Sequence, residues 1–94
     1  VSDEPSPLTA VVTIVNKKGL HARASAKVVE AAARFQSQIT VTKDGQTVDA
    51  RSIMGLMMMA ASLGSEMKIE AVGPDAEEAL HAIVALVEAK FGED

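Results

Sequence analysis

The segment Gly19-Leu-His-Ala-Arg-Ala-Ser25 sets one histidine and one arginine two residues apart, after a glycine and ahead of an alanine-rich run. A histidine at the mouth of a helix can do a particular piece of chemistry. The first backbone N–H groups of that helix, here those of Ala22 and Arg23, lack intrahelical acceptors and are aimed at an anion. The positive helix end favours a ring that keeps one nitrogen free to attack. Arg23 adds a permanent charge whose fork of donors fits phosphate oxygens. Together these features describe a nucleophilic His21 that takes a phosphoryl group and then has its charge stabilised. Without that chemistry, His21 would only cap a helix and Arg23 would only face water. The spacing alone leaves both readings open.

A second group lies further along. Ser52 is a helix-capping residue type and is followed by Ile53-Met-Gly-Leu-Met-Met-Met59. So many apolar side chains exceed what one short helix can bury, so some must face water. Met54 and Met57 are expected outward, with Leu56 and Met59 inward. Exposed methionines suit docking to several partners because the side chain adapts.

The elements that must position these groups follow from periodicity. Ala10–Val15 is β-branched and reads as a strand, closed by the turn Asn16-Lys-Lys-Gly19. Ala22–Phe35 reads as a helix with Val28, Val29, Ala32 and Phe35 on one stripe. Ile39–Thr42 and Gln46–Ala50 form a hairpin about Asp44-Gly45. A short helix follows Ser52, with Gly64 as its stop or in the turn beyond. Met67–Val72 is a fourth strand. The last helix is capped by Asp75 in a capping box with Glu78, buries Ala76, Leu80, Ile83, Val84 and Val87, and has Lys90 near its negative end. The order β-α-β-β-α-β-α implies an α+β, open-faced sandwich. Its four-stranded, antiparallel-type sheet has the order 1-4-2-3, with three helices on one face. Residues 1–7 are expected as a disordered lead-in and residues 8–94 as a single domain.

Composition removes several function classes. The chain has 94 residues, no cysteine and a net charge of −4 with only two aromatics. Thiolate chemistry is excluded, and neither the field nor the stacking surface for nucleic acid is present. The longest uncharged run, Ser52–Ser65, is fourteen residues and too short to span a bilayer. Two histidines and scattered carboxylates give no metal-ligand spacing, and there is no nucleotide-binding glycine-lysine loop. His81 is expected as an exposed helix residue. No metal or cofactor is implied.

Asn16–Ser25 resembles the phosphorylation-site motif of HPr, the histidine phosphocarrier family of the bacterial phosphotransferase system. Arg51-Ser-Ile-Met-Gly-Leu-Met57 is similar to the second HPr motif, and the element order matches that fold from about Leu8 onward. The C-terminal stretch, Ala85-Leu86 through Phe91-Gly-Glu-Asp94, resembles the nitrogen-related NPr branch.

The resemblance implies that His21 is phosphorylated on Nδ1 by enzyme I, with phosphoenolpyruvate as the source, beside Arg23. It implies hand-over to an enzyme IIA acceptor, with the nitrogen type favoured. It also implies phosphorylation of Ser52 by an HPr kinase/phosphorylase in some bacteria, and a docking surface of Leu20, Lys27, Arg51, Ile53, Met54 and Met57. Such a protein is a cytoplasmic monomer and a carrier rather than an enzyme. Ala24 departs from the family, which often has proline there to stiffen the first helical turn. Two rivals are a binding module regulated at Ser52 and a small acyl-phosphate hydrolase that uses Arg23 for phosphate and Asn16 for water.

Overall fold

The computed structural model describes residues 6–93, so the expectation for the lead-in falls mainly outside the described residues. Four strands and three helices follow in the expected order. They are β1 (Leu8–Thr13), α1 (Ala22–Ala32), β2 (Gln38–Lys43), β3 (Gln46–Asp49), α2 (Ile53–Met58), β4 (Glu66–Val72) and α3 (Ala76–Glu88). A short left-handed turn, Lys90–Gly92, follows α3.

The sheet order is β1-β4-β2-β3, and every neighbouring pair is antiparallel. β1 and β2 are thus parallel to each other with β4 between them, as the α1 crossover requires. One row runs across all four strands: Ala10 faces Ile69, Ile69 faces Val41, and Val41 faces Val48. The alternation in β4 puts Met67, Ile69 and Ala71 inside and Glu66 and Lys68 outside. α3 lies across β1, β4 and β2, α2 lies against β3, and α1 packs on both helices. Leu56, Ile69, Ile83, Val41, Val87 and Phe91 are among the largest side chains removed from water.

Several boundaries shift by a few residues from the sequence expectation, and three element ends have a tertiary reason. α1 stops at Ala32 rather than Phe35, and its last turn tightens into bonds from Arg34 to Ala31 and from Phe35 to Ala32. This lets Gln36 and Ser37 reach Asp75. α2 stops well before Gly64, because Ala60 turns left-handed (φ 54°). The chain then delivers the Ala61 carbonyl to Leu20 N–H at 2.8 Å. β1 ends at Thr13, with Ile14 bonded to the β4 approach through Ser65 and Gly64.

Asp75 is the N-cap residue of α3, but its side chain makes no cap bond and no capping box with Glu78 forms. Its carboxylate instead accepts from Gln36 N–H (3.0 Å), Ser37 N–H (2.9 Å) and Ser37 Oγ–H (2.5 Å). The buried Ser37 hydroxyl accepts in turn from Asp75 N–H at 3.1 Å. A local capping rule loses here to a clamp between two loops, which satisfies backbone donors that α1 leaves behind. The Ser37 hydroxyl and the Gln36 amide hold the Asp75 carboxyl below the ordinary aspartate range. Lys90 lies beyond the end of α3, in the left-handed turn, and not in its last helical turn.

Two outcomes follow. Because the folded-state pKa of Asp75 is depressed, its contribution is present above the ordinary aspartate range and is lost as pH falls through the lowered value. Asp75→Asn should lower the thermal midpoint at neutral pH and flatten the acid side of the stability curve, as followed by circular dichroism. Gly19 is left-handed (φ 65°), and a Cβ there would lie 2.4 Å from the Ala61 carbonyl oxygen. Gly19→Ala should therefore destabilise the fold by about 2 kcal/mol or more in urea titration.

Candidate functional site

The site is assembled by the close approach of Gly19 to Ala61. Leu20, next in the chain, is 5% exposed and pinned through its N–H, while Ser25 Oγ–H donates to the Leu20 carbonyl at 3.2 Å. Leu20 was expected on the docking surface. It is a core residue that anchors the loop and has almost no surface to offer a partner.

His21 follows as the N-cap of α1 with extended backbone, and its carbonyl accepts from Ser25 N–H at 2.8 Å. The imidazole makes no capping bond, so the ring is not used up by the helix. It is half-buried. Ala22 and Arg23 are exposed, and among the described residues their N–H groups have no backbone acceptor. The helix therefore presents free amide donors and an exposed arginine at the end where His21 stands.

The largest addition to the sequence reading is Glu93. Its carboxylate grips His21 Nε2 with Oε1 at 3.0 Å and Oε2 at 2.9 Å. Asn16 Nδ2–H donates to Glu93 Oε1 at 2.7 Å and to the Gly19 carbonyl at 2.9 Å. An ionised carboxylate can only accept, so Nε2 must carry the proton in this contact. In the neutral ring this leaves Nδ1 with the free lone pair. Hydrogen bonds from His21 and Asn16, with the positive charge of Lys18, hold the Glu93 carboxyl below the ordinary glutamate range. The contact is therefore ionised throughout the neutral range and lost only in acid.

Glu93 arrives by way of an unusual turn. Lys90 (φ 59°), Phe91 (φ 56°) and Gly92 (φ 76°) are all left-handed. For each of the two non-glycine residues this costs about 1–2 kcal/mol. Phe91 offsets part of that cost, because its ring is fully removed from water. Lys27, on α1, donates its ammonium to the Phe91 carbonyl at 2.5 Å. Lys27 was expected to be a docking cation. It is half-buried, and its charge is engaged within the molecule.

Asn16 is fully buried and its amide donors serve Gly19 and Glu93, so it is not placed to orient a water for hydrolysis. Its Oδ1 is buried with no partner among the described residues. Ser52 caps α2, its Oγ accepting from Gly55 N–H at 3.1 Å. Met54 (65% exposed), Met57 (42%) and Ile53 (40%) face water, while Leu56 and Met59 face the core. Met58, at 71%, extends that apolar surface and was not singled out from the sequence. Arg51 is exposed, with Nη2 tied to the Phe35 carbonyl at 2.5 Å. His81 is exposed, as expected.

Comparison with known proteins agrees with this geometry. The family model described as the PTS HPr component phosphorylation site matches residues 8–89. The phosphocarrier protein HPr of Cupriavidus necator is 53% identical over 81 residues, covering 86% of this chain and 91% of that protein. The phosphocarrier protein NPr of Shewanella violacea is 44% identical over 82 residues, covering 87% of this chain and 90% of that protein. The crystal structure of HPr-C-His from Thermoanaerobacter tengcongensis superposes with a TM-score of 0.89 at 48% identity, covering 93% of this chain and 98% of that one. A half-buried histidine at a helix mouth, an open-faced sandwich and these matches lead to one conclusion: the chain belongs to the HPr family of phosphocarrier proteins.

Proposed function

We propose that His21 is the residue that carries the phosphoryl group. The observation behind this is the Glu93 carboxylate on Nε2, which leaves Nδ1 as the nucleophilic nitrogen. In the forward step the Nδ1 lone pair forms the new N–P bond. The bond from phosphorus to the donor, phosphorylated enzyme I, breaks with its electron pair staying on the donor. Arg23 and the free amides of Ala22 and Arg23 take up the phosphoryl oxygens. The Nε2 proton stays on the ring, held by Glu93, so no proton has to leave while the phosphoryl group is bound. The same atoms in reverse pass the group to an enzyme IIA acceptor. A carrier is suited by a half-buried ring, since two proteins must reach it in turn.

The exposed face of Ile53, Met54, Met57 and Met58 is the surface on which both partners dock, and α2 packs against α1 beside the site. Ser52 starts that face. A phosphate there would add about −1.5 to −2 charges next to apolar contacts and weaken docking by repulsion and desolvation. Arg51 is available at the same edge to meet an acidic group. Both partners using one face fits a monomeric carrier working in the cytoplasm. The resemblance of the stretch from Ala85-Leu86 through Phe91-Gly-Glu-Asp94 to the NPr branch favours a nitrogen-type acceptor, and the competing choice is a sugar-type acceptor, since relatives named HPr and NPr both match.

Incubation with enzyme I and phosphoenolpyruvate, followed by intact-mass measurement, should show one acid-labile phosphoryl group per chain and none on His21→Ala. Arg23→Ala should slow the transfer roughly tenfold or more. Repeated release of free phosphate by the isolated protein would instead point to hydrolysis. In paired transfer assays the nitrogen-type acceptor should discharge the protein faster than the sugar-type. Ser52→Asp should raise the KM for enzyme I about tenfold with little change in the transfer rate at saturation.

A further inference from the structure

The Lys27 ammonium belongs to neither the core nor an ion pair among the described residues; its one polar contact is the Phe91 carbonyl. That carbonyl sits in the middle of the left-handed turn that carries Glu93 to His21. No other hydrogen bond among the described residues reaches it. The rest of the turn is closed by Gly92 N–H on the Ala89 carbonyl and Glu93 N–H on the Lys90 carbonyl, both at 3.0 Å, and by burial of the Phe91 ring. The turn is tight against the same nitrogen: a Cβ on Gly92 would lie 3.2 Å from Lys27 Nζ. His21, the N-cap of α1, and Lys27, at the middle of the helix, are six residues apart, about 9 Å along its axis. One rigid helix therefore holds both the reacting ring and the clamp of the segment that orients it.

We propose that Lys27 is a positioning residue for phosphoryl transfer: by clamping the Phe91 carbonyl it holds Glu93 on His21 Nε2 and so keeps Nδ1 as the free nitrogen. This rests on the reading of His21 as the phosphoryl acceptor. It replaces the role of Lys27 as a cation that meets the partner. Without the clamp, the left-handed Lys90 and Phe91 lose the tie that fastens the Phe91 carbonyl to α1, and only the turn's own bonds and the buried ring oppose their relaxation. Glu93 then loses its fixed approach even though its own side chain is intact. The ring then distributes its proton between the two nitrogens, and part of the population presents a protonated, non-nucleophilic Nδ1.

A direct partner contact and a positioning role differ in how they combine with Glu93. Single-turnover transfer from phosphorylated enzyme I is measured for the wild type, Lys27→Met, Glu93→Gln, the double variant and Lys27→Arg. Each single change to Met or Gln is expected to slow transfer at saturating donor about three- to tenfold with an unchanged donor KM. The double variant should be no slower than the slower single, and Lys27→Arg should recover most of the rate. The ring nitrogen-15 spectrum of neutral His21 should show the same rise in the Nδ1–H tautomer for Lys27→Met as for Glu93→Gln. Losses that multiply, a raised KM at unchanged rate, a wild-type ring spectrum in Lys27→Met, or no loss at all would overturn the proposal. Failure of the carrier reading itself would show separately, as a wild-type protein that gains no phosphoryl group on His21.

Discussion

A single hydrogen-bonded contact, the Glu93 carboxylate on His21 Nε2, sets the conditions for everything else at the site. In the proposed role, an imidazole loaded by one protein and unloaded by another cannot be fully buried, yet a free ring can carry its proton on either of two nitrogens. A carboxylate on the far nitrogen resolves the conflict. It orients the ring and settles the tautomer while occupying only the side that the phosphoryl group does not use. The arrangement works because the carboxylate is held in its ionised form by the groups it binds, so it stays an acceptor across the neutral range.

That contact joins residues 72 apart in sequence, and this explains why it escaped sequence reading. Period and capping are local signals. They were sufficient for the four strands, the 1-4-2-3 order, and the inward Leu56 and Met59 against the outward Met54 and Met57. They also placed His21 at the helix mouth, because glycine before and alanine after leave few alternatives. Leu20, Lys27 and Asp75 were misread for a common reason. Each is of a type that its neighbours in sequence could use, and each is used instead by a segment that only the fold brings near. Leu20 goes to Ala61, Lys27 to Phe91, and Asp75 to Ser37. Phe91 and Glu93 did leave a trace, an aromatic and an acid around a glycine after the last helix, but a trace without a stated partner gives no geometry.

The scaffold shows the same preference for ties between distant loops. Asp75 gives up its own helix cap to satisfy two amides beyond α1, and Gly19 gives up a side chain to bring its backbone against Ala61. Both choices fix α1, one at each end. The helix that ends in the reacting histidine is therefore held by loops as well as by packing. This bears on Ala24, where many relatives of this type would use a proline to stiffen the first turn. Here Leu20 is pinned to Ala61 and Ser25 to Leu20, so the turn is held from outside the helix and the ring a proline would add is not required.

Charge completes the picture. The chain as a whole is acidic, with a net charge of −4, but between Leu8 and Val29 it has no Asp or Glu and four cations: Lys17, Lys18, Arg23 and Lys27. The segment around His21 is thus locally basic on an acidic protein, which suits the proposed approach of an anionic phosphoryl group. The Glu93 carboxylate is brought into this region by the C-terminal turn and is engaged by Nε2 and Asn16. Those hydrogen bonds and the positive charge of Lys18 stabilise the carboxylate where it sits, on the ring nitrogen away from Nδ1. Lys27 neutralises the backbone end of the same turn. Arg23, two residues beyond His21, is in no ion pair among the described residues, so the proposed separation of duties is physical: acid for orientation, arginine for phosphate.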